Sequence, residues 1–313
     1  MPLDSVMDQA AGLRRMLLRA SARVVTVASA RNGAGTTSVV VNLATVLAKA
    51  GKEVLVLDEN LSHANVGNML GLRPRYDLLH AVRRDKTWRE VTLRSRQGVR
   101  VLPVARAIQA LPQLAVPERE NLLECLVAAS HGMDVVLVDT ALRAAPARNV
   151  GMQLQTKVDA SSRSISASLA PDQSLLLVLN GTAASITESY ALIKHMAVQD
   201  GRQSFGIVVN KVRDGQEAQV VFSNVAQVAR RHLHVRMEYL GYIPIDEKLR
   251  YATQLCKPVV EAYPDAQAAC AFGNLGHGLM LLPAASDEEA ASLVGVVQRL
   301  MRQARPQNRV HAA

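Results

Sequence analysis

Short runs of apolar and often β-branched residues recur along the chain, and segments with helical periodicity separate them. Seven of the runs are predicted to be strands: Arg23–Ala28, Glu53–Asp58, Gly98–Pro103, Asp134–Asp139, Ser174–Asn180, Phe205–Asn210 and Glu238–Ile243. Several are apolar almost throughout, which is typical of strands that are buried on both faces of a parallel sheet. The pattern therefore predicts a sheet that is covered by helices on both sides.

The segments between these strands carry apolar residues at helical spacing. The clearest of them are Thr37–Ala50, Glu118–Ser130, Ser185–Val198 and Glu217–His232. Strands and helices that alternate in this way form right-handed βαβ units. We therefore expect an α/β fold of the doubly wound type, with a mostly parallel sheet flanked by helices.

Three segments do not follow this alternation. Residues 1–20 are predicted to form a short amphipathic helix, and residues 156–173 a surface insertion. Residues 284–313 are predicted to form a C-terminal amphipathic helix with a basic tail, with a capping box at Ser286–Glu289. This helix has an apolar stripe at helical spacing, formed by Leu293, Val297, Leu300, Met301 and Ala304. The remainder, residues 21–283, is the predicted main domain.

The composition narrows the class of protein. Of the 313 residues, 49% are hydrophobic, which is enough for a substantial core and excludes a mainly disordered chain. No apolar run reaches the roughly 18 residues that a membrane span needs, and no signal-peptide pattern is present at the N-terminus. Cys125, Cys256 and Cys270 have neither disulfide nor zinc-site spacing, so we expect reduced thiols and a cytoplasmic protein.

Positive charge is concentrated in one part of the chain. The formal net charge is +9, and the segment 73–106 contains nine arginines and Lys86 but only three acidic residues. Such a surplus favours contact with nucleic acid, anionic lipid or an acidic protein. A solvated basic surface without a partner explains it equally well.

A glycine-rich turn joins the first predicted strand to the first predicted helix. Residues 30–37, here called the glycine-rich loop, read Ala-Arg-Asn-Gly-Ala-Gly-Thr-Thr. Such a turn presents backbone N–H groups at the positive end of a helix and so binds anions. The full phosphate-binding pattern ends in Gly-Lys-Ser/Thr, where the lysine contacts phosphates and the hydroxyl holds magnesium. Here Thr36 occupies the lysine position, whereas Thr37 keeps the hydroxyl.

Further motifs accompany this loop in a characteristic order. They are Asp8–Arg14, Asp58–Asn60, Asp139 at a strand end, Tyr190–Lys194 and Leu240–Asp246. With Arg31–Thr37 in place of Lys-Gly-Gly-x-Gly-Lys-Thr, nearly the whole chain resembles the deviant phosphate-loop ATPases of the MinD/ParA class. The segment Asp8–Arg14 resembles the Asp-Gln-Ala-x-x-Leu-Arg signature of the FlhG/FleN branch, whose members regulate flagellar number.

The resemblance implies a nucleotide site with ATP or ADP and Mg²⁺ as cofactors. Backbone N–H groups for the phosphates would come from Gly33, Ala34, Gly35 and Thr36. Thr37 and Asp139 would hold the magnesium ion, and Asn210 would bind adenine through an amide that both donates and accepts. The alternative for Asn210 is a capping role at the end of its strand.

Three departures from the family pattern fall at catalytic positions. Arg31 replaces the signature lysine that reaches phosphates across an ATP-bound dimer, Thr36 replaces the second lysine, and Asn60 replaces the second carboxylate of Asp-x-Asp. A lost charge-assisted contact to phosphate costs about 1.5–3 kcal/mol of binding. Phosphoryl transfer depends still more on charge stabilisation. We expect a degenerate ATPase with weak or no hydrolysis, in which Asp58 still orders the segment that follows it.

The resemblance to the FlhG/FleN branch also implies partner proteins. Its N-terminal helix docks on FlhF, a GTPase of the signal-recognition type, and this chain keeps Asp8, Gln9, Leu13 and Arg14 of that helix. A flagellar transcription regulator, a basal-body protein and a second copy of the chain are further partners to consider. The C-terminal helix would either contact anionic lipid at the membrane or pack on the domain itself.

These considerations favour a regulator of flagellar number or placement that acts by protein contact. One alternative is an active nucleotide switch in which Arg31 replaces the lost lysines. Another is a ParA-type partitioning protein whose arginines bind duplex DNA in a salt-sensitive way, although Asp8–Arg14 argues against it. A nicotinamide dehydrogenase is disfavoured because the G-x-G-x-x-G pattern is not completed after Gly33 and Gly35, where Ser38 stands.

Overall fold

The computed structural model describes residues 22–62, 65–140, 171, 173–282 and 292–303. Its strands are β1 (Arg23–Ala28), β2 (Val54–Asp58), β3 (Leu93–Arg94), β4 (Arg100–Pro103), β5 (Val135–Asp139), β6 (Ser174–Asn180), β7 (Ser204–Val212) and β8 (Arg236–Pro244). Its helices are α1 (Thr36–Lys49), α2 (Val66–Met69), α3 (Leu78–Val82), α4 (Trp88–Val91), α5 (Ala105–Ala110), α6 (Val116–Ser130), α7 (Ala183–Gln199), α8 (Gly215–Leu233), α9 (Glu247–Gln254), α10 (Val259–Ala262), α11 (Gln267–Leu281) and α12 (Leu293–Gln303).

The eight strands form one sheet in the order β3-β4-β2-β5-β1-β6-β7-β8. All neighbouring strands are parallel except β3 and β4, which are antiparallel. Parallel neighbours require crossover helices, and these cover both faces of the sheet. The predicted doubly wound α/β fold is therefore confirmed.

Apolar side chains of β2 explain why the strands are buried on both faces. Val54 and Val56 pack with residues of α1 and α11, whereas Leu55 and Leu57 pack on the opposite side with residues of α3, α6 and α12. On that second side, α7 and α8 cover the far half of the sheet at β6 to β8. A strand with such surroundings has no solvent-facing side, so the apolar run in the sequence is continuous.

All seven predicted strands are present, and two of them are longer than predicted. The pattern missed β3, a pair of residues at the edge of the sheet, because Leu93–Arg94 is too short to show a period. The predicted N-terminal helix at residues 1–20 lies outside the described residues, as does nearly all of the predicted insertion at residues 156–173.

The C-terminal helix α12 packs on the domain itself. Leu293, Val297 and Leu300 of its predicted stripe are buried in the same cluster as residues of α6. The helix begins after Ser292, whose hydroxyl accepts a hydrogen bond from the Gly295 N–H at 3.1 Å. The predicted capping box at Ser286–Glu289 lies outside the described residues. These three residues of the stripe are thus occupied by protein contacts and are not free for lipid in this arrangement.

Within the part of the chain that the structure describes, no helix is both long enough and apolar enough to span a lipid bilayer.

Candidate functional site

The glycine-rich loop lies at the carboxyl end of β1 and leads directly into α1. Gly33 and Gly35 have φ values of 79° and 97°, a left-handed region that residues with a Cβ rarely occupy. Gly35 is the N-cap residue of α1 and, as a glycine, has no side chain that could cap this end of the helix. The N–H groups of the first helical turn have no acceptor inside the helix. The loop and helix terminus therefore form an open anion cradle.

Thr36 replaces the lysine of this cradle and has a different task. Its hydroxyl donates to Ser29 Oγ at 2.8 Å, and the Ser29 hydroxyl donates to the Arg31 carbonyl at 3.0 Å. Thr36 is buried. The side chain thus ties the loop to its own backbone and brings no positive charge to the phosphate position.

Thr37 and Asp139 meet where a magnesium ion would be expected. The Thr37 hydroxyl donates to Asp139 Oδ2 at 2.8 Å, and it accepts from Asn60 Nδ2 at 3.3 Å. Hydroxyl and carboxylate oxygens are the ligands that Mg²⁺ prefers. The metal end of the site therefore fits Mg²⁺, whereas the phosphate end has the uncharged Thr36 where an intact loop has its lysine.

Two buried carboxyl groups lie side by side at this edge of the sheet, because the strand register places Asp58 opposite Asp139. Burial, together with the charge of Asp58, raises the pKa of Asp139 to about 8. Burial also raises the pKa of Asp58 to about 6, although hydrogen bonds from the Asn60, Val66 and Gly67 N–H groups oppose the shift. Such a pair is stabilised by a bound proton or by a divalent cation.

Asp58 also organises the segment that follows β2. It accepts hydrogen bonds from Asn60 N at 2.9 Å and from Val66 N at 3.0 Å, the latter at the first residue of α2. Asn65 caps the same helix by accepting from Asn68 N. The carboxylate therefore fixes the backbone at Asn60 and at the start of α2; the predicted catalytic role of Asp58 stays a prediction.

Asn210, at the carboxyl end of β7, contacts the glycine-rich loop. Its Nδ2 donates to the Ala34 carbonyl at 2.7 Å, and its Oδ1 accepts from the Lys211 N–H at 2.9 Å. A Cβ at Gly35 would lie 2.2 Å from that Nδ2, which explains why a glycine is needed there. The amide therefore braces the loop; its predicted contact with adenine stays a prediction.

Lys211 is a site residue that the sequence reasoning missed. Its Nζ donates to the Gly33 carbonyl at 2.8 Å, next to the bond made by Asn210. The backbone of Lys211 has φ 59°, and the β7–β8 register shifts between Asn210 and Val212. A bulge re-aims side chains in this way. The available signal was a lysine directly after the polar residue that ends the predicted strand Phe205–Asn210.

Arg31, the replacement for the signature lysine, is engaged within its own chain. Its guanidinium lies 2.7 Å from the Glu188 carboxylate of α7, and both side chains are partly exposed. The structure thus brings Arg31, Asp58, Asn60, Asn210 and the predicted loop and metal residues to one edge of the sheet. The predicted partner-binding residues Asp8, Gln9, Leu13 and Arg14 lie outside the described residues.

Comparison with known proteins gives the class of this site. Residues 25–259 match the model of the CobQ/CobB/MinD/ParA nucleotide binding domain. The match spans most of the chain and includes the glycine-rich loop, Asp58, Asp139 and Asn210. The chain belongs to this family of nucleotide-binding domains, as the predicted resemblance to the MinD/ParA class required.

The similar proteins include an antiactivator and a flagellum site-determining protein. The chain is 34% identical to the antiactivator FleN of Pseudomonas aeruginosa over 250 residues, which are 80% of this chain and 83% of FleN. It is 21% identical to the flagellum site-determining protein YlxH of Helicobacter pylori over 226 residues, 72% of this chain and 70% of YlxH. The predicted resemblance to the FlhG/FleN branch is therefore confirmed at the level of the family.

Among solved structures, the fold is similar to the septum site-determining protein MinD of Pyrococcus horikoshii in complex with Mg-ADP. The TM-score is 0.57 at 20% sequence identity, and the match covers 82% of this chain and 96% of that one. This similarity shows the fold alone. The chemistry of the present site depends on its own residues.

Proposed function

We propose that this chain regulates the number or placement of flagella by contacts with other proteins, and that it binds a magnesium nucleotide with little or no hydrolysis. The similarity to FleN and YlxH supports the flagellar part of the proposal. The replacement of the loop lysine by Thr36 supports the part that concerns little or no hydrolysis. A degenerate site on an intact family fold is the combination that we would expect of a regulator that acts mainly by binding.

The observation that carries the proposal is the position of the Thr36 side chain. Its hydroxyl is turned to Ser29, so the loop presents no charged group at the position of the family lysine. Arg31, the nearest substitute, is paired with Glu188. Phosphoryl transfer is accelerated mainly by positive charge around the transferred group, so both features lower the rate of hydrolysis.

Asn60 contributes a second reason for slow hydrolysis. Its amide donates to Thr37, a contact that an ionised aspartate could not make. An amide is also a weaker acceptor than a carboxylate for the proton of an attacking water molecule. We infer that Asn60 helps to position Thr37 for magnesium and does not orient the attacking water molecule.

Nucleotide binding itself remains compatible with the residues present. Backbone N–H groups of Gly33 to Thr36 would contact the phosphates, and Thr37 and Asp139 would hold Mg²⁺. The ion would neutralise the phosphate charge together with the carboxyl groups of Asp58 and Asp139, whose pKa values are raised. Two cofactor states, ATP and ADP, could then control dimerisation or partner binding without fast turnover.

Partner contact is assigned to the N-terminal signature. Residues Asp8, Gln9, Leu13 and Arg14 match the segment by which the FlhG/FleN branch engages an FlhF-like GTPase. A flagellar transcription regulator is a further partner of the same proposal, since the similar protein FleN is an antiactivator. Neither contact depends on ATP hydrolysis by this chain.

The enzymatic part is tested by steady-state ATP hydrolysis with Mg²⁺. We expect turnover near background for the wild-type chain and a rise of at least about tenfold for the Thr36→Lys/Asn60→Asp double variant, which restores both lost groups. The Thr36→Met/Asn60→Asp variant is the matched control without the added charge. Wild-type turnover equal to that of an intact MinD would contradict the proposal.

The partner contact is tested by the GTPase rate of an FlhF-like protein with and without this chain. Deletion of residues 1–20 should abolish any stimulation, and Arg14→Ala should weaken it severely. Arg15→Ala is the matched control, because Arg15 adjoins the signature but is not part of it. Stimulation that is unchanged after the deletion would refute this assignment.

A further inference from the structure

Two consecutive carbonyl groups of the glycine-rich loop accept hydrogen bonds from β7. The Lys211 ammonium donates to Gly33 O at 2.8 Å, and the Asn210 amide donates to Ala34 O at 2.7 Å. Both donors approach from the same strand end, so they contact the same side of the loop. That side is opposite to the one that would hold a phosphate, because of the trans geometry of the two peptide units.

Each carbonyl group shares a peptide unit with the next N–H group. Gly33 O belongs to the unit that carries the Ala34 N–H, and Ala34 O belongs to the unit that carries the Gly35 N–H. The described part of the chain contains no cis peptide bond, so N–H and C=O point in opposite directions in each unit. The N–H groups of Ala34 and Gly35 therefore point away from β7, toward the interior of the anion cradle.

We propose that Lys211 is a positioning residue for phosphate binding and that its charge acts through the Gly33–Ala34 peptide. An ammonium group that binds a carbonyl polarises the peptide and makes its N–H a stronger donor. Lys211 thereby contributes positive potential from the side of the loop that faces β7. This replaces part of the potential that a lysine at position 36 would supply from the phosphate side. This inference rests on the proposed function, because it concerns the phosphates of the same nucleotide site.

The backbone around Lys211 supports a dedicated role. A lysine with φ 59° pays a conformational cost that tertiary contacts must offset. The register shift between Asn210 and Val212 turns the side chain out of the strand pattern and toward the loop. Among the described residues, Lys211 forms no ion pair with a carboxylate. Its charge is directed to the Gly33 carbonyl.

The experiment uses the full chain with Lys211→Met, which keeps the aliphatic length and removes the charge, and with Lys211→Arg as the conservative variant. Lys248→Met, on the exposed surface of α9, is the matched control. We expect Lys211→Met to weaken binding of both Mg²⁺–tripolyphosphate and Mg²⁺–ADP by about 3- to 10-fold in calorimetry. Lys211→Arg should restore most of the affinity, and Lys248→Met should have no effect.

A second measurement on the nucleotide-free protein separates this inference from the proposed function. The amide nitrogen resonance of Ala34 should move upfield in Lys211→Met, because its peptide loses the charged donor, and should return in Lys211→Arg. If the wild-type chain binds neither ligand, the proposed nucleotide function fails, whereas the Ala34 resonance still tests the polarisation.

Two results would overturn the inference. One is an Ala34 resonance and ligand affinities that are unchanged in Lys211→Met. The other is a loss of Mg²⁺–ADP affinity with unchanged Mg²⁺–tripolyphosphate affinity, which would assign Lys211 to the base and not to the phosphates. Lys211 is exposed, so we expect every variant to fold.

Discussion

Arg31 and Glu188 are joined by an ion pair of 2.7 Å that links the glycine-rich loop to helix α7. The side chains are 48% and 39% exposed, so the pair contributes at most about 1 kcal/mol to stability. The ion pair matters because it engages the Arg31 guanidinium. The cation that the family pattern would direct to the phosphates of a second subunit is held by a carboxylate of its own chain.

Removal of that carboxylate should favour the dimer. We expect Glu188→Gln to increase the dimer fraction in the presence of Mg²⁺ and a non-hydrolysable ATP analogue, because Arg31 no longer has to leave a competing anion. Sedimentation velocity would measure it. Glu238→Gln, which breaks the partly exposed Arg236–Glu238 pair at the start of β8, is the control. Equal dimer fractions in wild type and Glu188→Gln would show that the pair does not restrain Arg31.

Restoration of the loop lysine should strengthen nucleotide binding. Thr36→Lys adds a charge-assisted contact of about 1.5–3 kcal/mol, or roughly 10- to 150-fold in the dissociation constant for Mg²⁺–ATP. The same change removes the hydrogen bond to Ser29, so the free energy of unfolding should fall by about 1 kcal/mol. Thr36→Met loses that bond without adding charge. Calorimetry in which Thr36→Lys and Thr36→Met bind equally would exclude the missing cation as the cause of weak binding.

The sheet could be predicted from the sequence because burial on both faces leaves an unmistakable pattern. Runs such as Val54–Leu57 have no polar position at all, and each became a strand. The two-residue strand β3 could not be found in this way. The edge position of Leu93–Arg94 depends on its pairing with Arg100 and Val101, not on any local period.

Most residues of the site could be predicted from the sequence, but the contacts between them could not. Gly35, Thr37 and Asp139 follow from motifs whose residues are close in sequence or end a strand. The bond from Lys211 to Gly33 and the pair of Arg31 with Glu188 join residues that are 178 and 157 positions apart. Only the folded sheet brings them together, and several side chains in each region could have made the contact.

The paired carboxyl groups make stability dependent on pH in the absence of magnesium. The pKa values of Asp58 and Asp139 are raised to about 6 and about 8 from an ordinary value of 3.8. The folded state therefore holds protons that the unfolded state has already released, and its stability falls as the pH rises from about 4 to about 8. Denaturant titrations at several pH values in a chelator would measure this slope.

Asp139→Asn should flatten the upper part of that pH dependence, since it removes the group that titrates at the higher pH. Asp265→Asn, at an exposed position, is the control. Magnesium should restore stability to the wild type at high pH and have little effect on Asp139→Asn. A wild-type chain whose free energy of unfolding rises between pH 5 and pH 8 without magnesium would contradict the assignment.

The burial of α12 predicts that this helix stabilises the domain and does not act as a membrane anchor. Leu300 is 2% exposed within the cluster that includes α6 residues, so Leu300→Ala should lower the free energy of unfolding by about 2–4 kcal/mol. Gln298→Ala, on the exposed side of the same helix, should change it by less than about 0.5 kcal/mol. Denaturant unfolding in buffer without lipid measures both. If the stripe instead inserts into lipid, Leu300→Ala would leave stability in buffer unchanged and weaken sedimentation with acidic liposomes.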